Sequence, residues 1–526
     1  MRYLTQFIAA ALITLLVAGC SDWDDHYNIA DKNTSATLWQ VMQADPQLTD
    51  FCQVMKGTQV FRHHKRTGVS YAQLLDNGQA YTVFAPVNGT FNKDSLLDLA
   101  STDQGDSLVV EFFVKNHLAQ LTVALSATPQ ETRLLNDKRL VVTDSQAGTI
   151  ALTNTNIHAR NGVLHVVAAP LPYQYNIYEA LRNIAGFAPI GNFLHKYDED
   201  YFDEDASLSS GTVDGVPVYV DSVIVERNRL LQRIGYINRE DSTYWMIAPT
   251  RASYEEALAE ARAHFRYDNS VSHGDSIQDY WANRGLIDDA IFNATLQNSP
   301  VDSLISVQYN ISNPKYHVFY DPQNSILKGT QALKCSNGII YMAETWPFKP
   351  EQTYFTECYA EGEWTGNIID YSRCNYNSRT FTADSVHGSG YLDIVPATST
   401  SNWNLTVKID NTLAGYYDVC AVVAPKSVYN SVNPDLRPCK FKYTINYIDT
   451  LGHAQTYTNR KTLTSDPLRV DTVVLAEDFY FPACNFDQTN NKISVTLQCN
   501  ILARETSKYN REMYLDCIYL RPRTHK

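Results

Sequence analysis

The feature that most narrows the fold of this chain is a pair of short strand-like segments that occurs twice. Tyr81-Thr82-Val83-Phe84-Ala85-Pro86 is largely apolar, ends on a proline and runs into the turn Val87-Asn88-Gly89-Thr90-Phe91. Further on, the turn dipeptide Asn161-Gly162 feeds Val163-Leu164-His165-Val166-Val167, a strand apolar on both faces. The same grammar returns, more faintly, as Tyr244-Trp245-Met246-Ile247-Ala248-Pro249 and Ser336-Asn337-Gly338-Ile339-Ile340-Tyr341-Met342. A strand apolar on both faces must be covered on both, so each pair needs helices or further strands around it. Residues 32–80 supply such cover, with Leu38, Val41 and Met42, then Phe51, Val54 and Met55, at helix-like spacings. The second copy is followed by a helix-spaced face of Tyr254, Leu258, Ala261 and Phe265.

Between the first pair lies Phe112-Phe113-Val114-Lys115-Asn116-His117-Leu118. In this order, the Thr-Val-Phe-Ala-Pro strand, the His-bearing segment and the Asn-Gly strand resemble a fasciclin domain. Asn116-His117 stands where that family usually has Tyr-His. The resemblance covers residues 32–173, and a second, diverged copy is read over 174–348. That copy has no evident middle His; Asp279-Tyr280-Trp281-Ala282-Asn283 sits near its place. The resemblance implies α+β modules for adhesion or interaction that are generally not enzymes. It also makes Phe84, Pro86, His117, Asn161 and Val163 core and turn residues.

After residue 349 the texture changes. Eight segments read as strands: 353–355, 390–396, 405–409, 416–423, 441–447, 472–475, 492–497 and 513–520, with turn residues between them and no helical pattern. Such spacing predicts an antiparallel sandwich over 349–526. Its ending, Leu515-Asp516-Cys517-Ile518-Tyr519-Leu520 followed by Arg521-Pro522, resembles the closing strand of galactose-binding-like jelly rolls, which implies a carbohydrate-binding domain. Sugar recognition needs exposed flat rings among polar groups. Trp364, Trp403, Tyr371, Tyr376 and Tyr429 lie in Asn-, Ser- and Gly-rich surroundings and form the candidate ligand-binding set. Cys335, Cys358, Cys374, Cys420, Cys439, Cys484, Cys499 and Cys517 all lie after residue 330, open to disulfides or to burial as free thiols.

The first residues carry an address. Arg2 precedes an apolar stretch from Phe7 to Val17, shorter than a membrane span and shaped like a secretion signal. Leu15-Leu16-Val17-Ala18-Gly19-Cys20 resembles a bacterial lipobox. That resemblance implies a signal peptide over 1–19, acyl chains on Cys20 and an outer-membrane anchor. The acidic linker 20–31, opening Ser21-Asp22-Trp23-Asp24-Asp25, resembles the export signal of surface-displayed lipoproteins of Gram-negative bacteria. By the same resemblance the expected partners are a TonB-dependent transporter of the starch-utilisation type and its lid lipoprotein. The expected role is accessory capture of glycan or peptide, with adhesion through the fasciclin modules as the alternative.

The chemistry that is missing matters as much. A net charge of −14 argues against nucleic acid, whose phosphates need a basic footprint. No Gly-x-Ser-x-Gly, His-Glu-x-x-His, phosphate loop or Cys-x-x-Cys is present, so no catalytic residue, cofactor or metal ligand is assigned. Asp198/Asp200 and Glu361/Glu363 are acidic pairs of the kind chance supplies in an acidic chain. Asp198, Asp200, Asp203 and Asp205 read as a solvated acidic loop rather than a calcium loop, because the EF-hand offsets are absent. Arg62-His63-His64-Lys65-Arg66 reads as a solvated loop between helices.

Overall fold

The computed structural model describes residues 35–62, 64–213, 216–294, 302–307, 317–381, 386–489 and 492–524. The signal peptide, Cys20 and the acidic linker expected over residues 1–31 lie outside these residues. Among the described residues no helix is long and apolar enough to cross a membrane. The chain forms two compact units. One runs up to Tyr175 and adds Asp200–Glu226; the other combines Asn176–Glu199 with Arg227–Lys526.

In the first unit, helices Leu38–Ala44, Thr49–Gly57 and Tyr71–Asp76 are capped by polar side chains or short turns that the sequence provides. Thr37 and Ser70 each make a reciprocal capping box with the Gln three residues on. The span 59–70, expected to be helical, is instead the hairpin β1 (Gln59–Arg62) and β2 (Lys65–Ser70). The basic cluster there is structural rather than solvated at Arg66. Its guanidinium donates to Asp106 at 2.7 Å and to the carbonyls of Ala100 and Thr102 at 2.6 and 2.9 Å.

Seven strands follow: β3 (Tyr81–Pro86), β4 (Leu118–Gln120), β5 (Gln130–Arg133), β6 (Arg139–Val142), β7 (Gln146–Ala147), β8 (Ile150–Ala159) and β9 (Gly162–Val167). They form one sheet in the order β4-β3-β9-β8-β7-β6-β5, with β3 and β9 parallel and buried along their whole length. Tyr81, Val83 and Ala85 pack on Leu38, Met42, Phe51 and Val54 of the helices. Phe84 and Val167 face Leu125, Val142 and Ala147 on the other side. This is why both strands read as continuous apolar runs.

The second unit begins with helices Ile177–Asn183 and Ala188–His195. β10 (Asp198–Val213) and β11 (Val216–Asn228), whose span Asp200–Glu226 belongs to the first unit, pair as an isolated two-stranded sheet. The expected acidic loop 198–205 is therefore strand. Asp198 accepts hydrogen bonds from the Tyr178 hydroxyl, His195 and Asn228, so its oxygens are engaged within the protein. β12 (Tyr244–Pro249), β13 (Ile291–Asn293), β14 (Ser303–Ile305), β15 (Val318–Tyr320), β16 (Gln331–Cys335) and β17 (Gly338–Ala343) complete this module. The central sheet runs β13-β12-β17-β16, and β12 pairs β17 in parallel with Tyr244 opposite Gly338, as Tyr81 stands opposite Gly162. Register also locates the missing His. Leu118 opposes Val83 and Ile291 opposes Met246, so the residue before each strand is His117 in one copy and Ala290 in the other. Asp279–Asn283 lies one turn or more earlier, within helix Gly274–Ile287.

The remainder is all-β: β18 (Cys358–Glu361), β19 (Ile368–Ser372), β20 (Cys374–Thr380), β21 (Gly390–Pro396), β22 (Asn404–Lys408), β23 (Gly415–Ala424), β24 (Lys440–Ile448), β25 (Ala454–Thr458), β26 (Leu463–Thr464), β27 (Asp471–Phe481), β28 (Ser494–Cys499) and β29 (Met513–Arg523). Seven of the expected strands are present. Thr353–Phe355 is not one; it follows the turn Pro350–Gln352 and buries Phe355. Two antiparallel six-stranded sheets result. One is β20-β21-β29-β23-β27 with β18 on β29; the other is β19-β22-β28-β24-β25 with β26 on β24. The sheets touch where the Tyr447 ring lies 5.3 Å from Phe479 and 6.4 Å from the fully buried Phe481. Cys358, Cys374, Cys420, Cys439, Cys484, Cys499 and Cys517 are free thiols, all but Cys358 buried.

The helix Arg251–His264 ends against this region. Cys484 N–H donates to the Arg266 carbonyl at 2.8 Å, Tyr267 donates to the Phe486 carbonyl at 3.0 Å, and Lys492 reaches Asp268 at 2.8 Å. Phe265 and Trp281 close on Phe486 at 5.3 and 4.9 Å.

Candidate functional site

β29 changes partner halfway along. It pairs β21 through Met513, Tyr514 and Leu515, and β18 through Cys517, Ile518, Tyr519 and Leu520. The ends of β18 and β21 therefore abut beside Asp516. Gly362 N–H donates to the Asp516 carbonyl at 2.7 Å, and a Cβ on Gly362 would lie 2.3 Å from the Leu515 carbonyl oxygen. Only glycine fits this seam.

Carboxylates line the seam. Glu361 ends β18, Glu363 follows it, and Asp516 projects from β29. The segment His387-Gly388-Ser389 leading into β21 folds over them. His387 N–H donates to Asp516 Oδ2 at 3.0 Å, its Nδ1 meets Glu361 Oε1 at 2.5 Å, and Ser389 N–H donates to Glu363 Oε1 at 2.8 Å. Gly388 has φ +68°, and a Cβ there would lie 2.5 Å from Glu363 Oε1. The His387 ring stacks on Tyr359 at 3.8 Å, and Tyr359 stacks on Tyr519 at 5.2 Å.

Asp516 is fully buried, yet among the described residues its Oδ1 has no hydrogen-bond partner, and neither has Glu363 Oε2. Burial pushes the Asp516 pKa up to about 7, against the His387 N–H and with the charges of Glu361 and Glu363. A ligand oxygen from each of Glu361 and Asp516 and the Cys517 sulfur lie within 4.8 Å of one another. Carboxylate oxygens are hard ligands of the kind a divalent cation takes, and this cluster supplies two of them. Cys517 does not fit that role, because burial raises its pKa and keeps it a neutral thiol. Sequence reading missed this set because 361, 387 and 516 are far apart in the chain. The available signal was Asp516 itself, an acid inside an otherwise apolar strand.

The five rings expected to bind ligand are not one platform. Trp364 directly follows Glu363 and is 60% exposed. Tyr371, 52% exposed, meets Tyr376 edge-on at 4.9 Å where β19 turns into β20. Tyr429, 66% exposed, lies beneath the Arg379 guanidinium at 5.5 Å. Trp403 is corrected: it is fully buried, with its indole N–H donating to the Arg511 carbonyl at 2.6 Å. Its polar neighbour Asn402 is not a solvent-facing residue either, since it accepts from Ile501 N–H and Arg511.

Residues 56–172 match the Fasciclin domain family. A fasciclin α+β domain is thus followed, further along the chain, by a large all-β antiparallel region. No curated protein sequence matches this chain. Among solved structures, the chain is similar to the FAS1 domain pair of the insect cell adhesion molecule Fasciclin I, at 9% identity and TM-score 0.19, over 52% of this chain and 90% of that one. It is also similar to the CBM22-1 xylan-binding domain of Paenibacillus barcinonensis Xyn10C, at 10% identity and TM-score 0.22, over 33% and 96%. A third is the C-terminal family 22 carbohydrate-binding module of Clostridium thermocellum Xyn10B, at 10% identity and TM-score 0.20, over 32% and 94%.

Proposed function

We propose that this chain is a non-catalytic binding protein displayed outside the cell, whose all-β region captures a glycan. The observation that carries this reading is Trp364, an exposed indole placed immediately after a carboxylate of the buried acidic seam. A cation held by Glu361 and Asp516 would fix the chain segment that presents that ring. Exposed aromatic rings held rigidly are what a pyranose face stacks on.

The finer parts of the reading follow from the sequence. Cys20 carries the lipid, the acidic linker directs the protein to the outer surface, and the working partners are a TonB-dependent transporter and its lid lipoprotein. The Fasciclin match favours a second reading, adhesion to other cells or matrix through the N-terminal module. Two measurements decide. Oligosaccharide binding should be present with calcium, weakened by chelator and reduced in Trp364→Ala. Affinity capture of the acylated protein from detergent extract should recover the transporter; recovery of none favours adhesion.

A further inference from the structure

The outer face of the sheet β20-β21-β29-β23-β27 carries a small apolar cluster apart from the core between the sheets. Tyr391, Ala424 and Tyr514 are buried there, with Phe381 and Val428 packed on them. Strand register explains the grouping. Asp393 stands opposite Asn377 on β20 and opposite Tyr514 on β29, and Tyr514 stands opposite Ala424 on β23. Two residues along β21, Tyr391 stands opposite Arg379. The Tyr391 and Tyr514 rings lie 4.8 Å apart. The turn Lys426–Val428 then sets Lys426 Nζ 3.6 Å above the Tyr514 ring and 2.9 Å from Glu512, and delivers Tyr429 to Arg379.

Asp393 is the residue that this packing does not explain. Its side chain is 9% exposed. Oδ2 accepts from Arg379 at 3.2 and 3.4 Å, while Oδ1 is buried and has no hydrogen-bond partner among the described residues. Leaving a buried acceptor unpaired is unfavourable. A hydrophobic residue would avoid that cost, so the vacant oxygen points to a ligand that supplies a donor. Fixed charges restrict which ligand. Arg379 and Lys426 oppose a cation, and Asp393 and Glu512 oppose an anion. A neutral ring bearing adjacent hydroxyls satisfies the set: one hydroxyl donates to Asp393 Oδ1, its neighbour accepts from Arg379, and the C–H face lies on Tyr429. Arg379 and Tyr429 are 41% and 66% exposed, so they can swing to admit it.

We propose that Asp393, Arg379 and Tyr429 form a subsite for one neutral pyranose unit of a glycan chain. This rests on the glycan-capture reading and is separate from Trp364.

The test uses the full mature chain and a panel of neutral oligosaccharides built of glucose, xylose, mannose or galactose units. Titration identifies the member bound, and tetranitromethane then nitrates exposed tyrosines with and without it. Tyr429 should be protected, while Tyr371 and Tyr320, which are 52% and 75% exposed, should react equally in both samples. Asp393→Asn and Tyr429→Ala should each weaken binding at least ten-fold, and Asp393→Asn should melt no lower than the wild type. If both variants bind as tightly as the wild type and Tyr429 is not protected, the subsite is wrong while glycan capture stands. If the wild-type chain binds no member of the panel, glycan capture itself falls, and the subsite with it. Tyr429→Ala changes only an exposed ring, so a folding defect in Asp393→Asn leaves the test decisive.

Discussion

Asn161 and Asn337 make the same three side-chain hydrogen bonds in two different modules. Asn161 Oδ1 accepts from Leu38 N–H at 2.7 Å, and its Nδ2 donates to the carbonyls of Leu75 and Asn77 at 2.8 and 2.6 Å. Asn337 Oδ1 accepts from Ile177 N–H at 2.9 Å, and its Nδ2 donates to the carbonyls of Ile237 and Arg239 at 2.7 and 2.9 Å. Each Asn thus ties the first turn of its module's leading helix to the loop before its first central strand. The glycine that follows is forced in both copies: a Cβ on Gly162 would lie 1.9 Å from the Tyr81 carbonyl oxygen, and one on Gly338 1.8 Å from that of Tyr244. Asn161→Ala and Asn337→Ala each leave three backbone groups without these partners, all but solvent-free. Each should destabilise its own module by about 2–4 kcal/mol. Urea unfolding followed by hydrogen exchange would show the loss confined to β3 and β9 for the first variant and to β12 and β17 for the second.

Acid should loosen the first module through its histidines. His117 is fully buried; its Nδ1–H donates to the Phe113 carbonyl at 2.7 Å and its Nε2 accepts from Leu171 N–H at 2.9 Å. Both nitrogens are used by the neutral ring, and burial pushes the pKa down to about 4 despite the Phe113 carbonyl. His165 uses the opposite tautomer, donating from Nε2 to the Val123 carbonyl and accepting at Nδ1 from Asn156 N–H, and burial takes it to about 4 as well. Unfolded histidine titrates near 6.5, so the unfolded chain binds more protons in between. Stability is therefore whole above pH 6.5 and falls as pH drops toward 4, by about 3 kcal/mol for His117 alone. Thermal melts between pH 7 and 4 should show a falling Tm, and His117→Gln should flatten the slope; an unchanged slope would show that His117 does not carry it.

Calcium should stabilise the all-β region through the acidic seam. A site occupied at a hundred times its dissociation constant adds about 2.7 kcal/mol to folding. Chelator should lower the Tm of the wild type, and Asp516→Asn should remove the response while raising the metal-free Tm, because it deletes a buried like charge beside Glu361 and Glu363. A wild-type Tm indifferent to calcium, with no heat of binding by calorimetry, would leave the seam a purely structural cluster.

What the chain disclosed and what it hid divide on physical lines. β3, β9, β12 and β17 were legible because a parallel strand covered on both faces must be apolar throughout, and because Asn-Gly permits the tight entry that Gly162 and Gly338 provide. The hairpin at 59–70 was not, since Gln59, Arg62, Lys65 and Arg66 carry no strand alternation; it is held by Arg66 reaching Asp106. The acidic seam was hidden because its members meet only when β18 and β21 abut on β29. Polar neighbours mark Tyr429 in the sequence, and the structure sets it beside Asp393 by way of Arg379, a pairing that only strand register reveals.

Trp364 and Trp403 separate binding from folding. Both sit among Asn, Ser, Thr or Gly in the sequence, and both answered the same description of a ring in a polar loop. Burial sorts them: Trp403 is fully enclosed with its indole N–H bonded to Arg511, whereas Trp364 is 60% exposed and packs little. Trp403→Ala opens a cavity and strands a buried carbonyl, so it should destabilise the all-β region by about 3–5 kcal/mol. Trp364→Ala removes mostly solvated surface and should change stability by no more than about 0.5 kcal/mol. Binding should follow the reverse order once both are measured on folded protein: Trp364→Ala loses glycan affinity, while any loss in Trp403→Ala tracks its unfolded fraction. Chemical denaturation alongside titration of the same samples reads both quantities, and intact glycan binding in Trp364→Ala would shift the weight of recognition to the Tyr429 face.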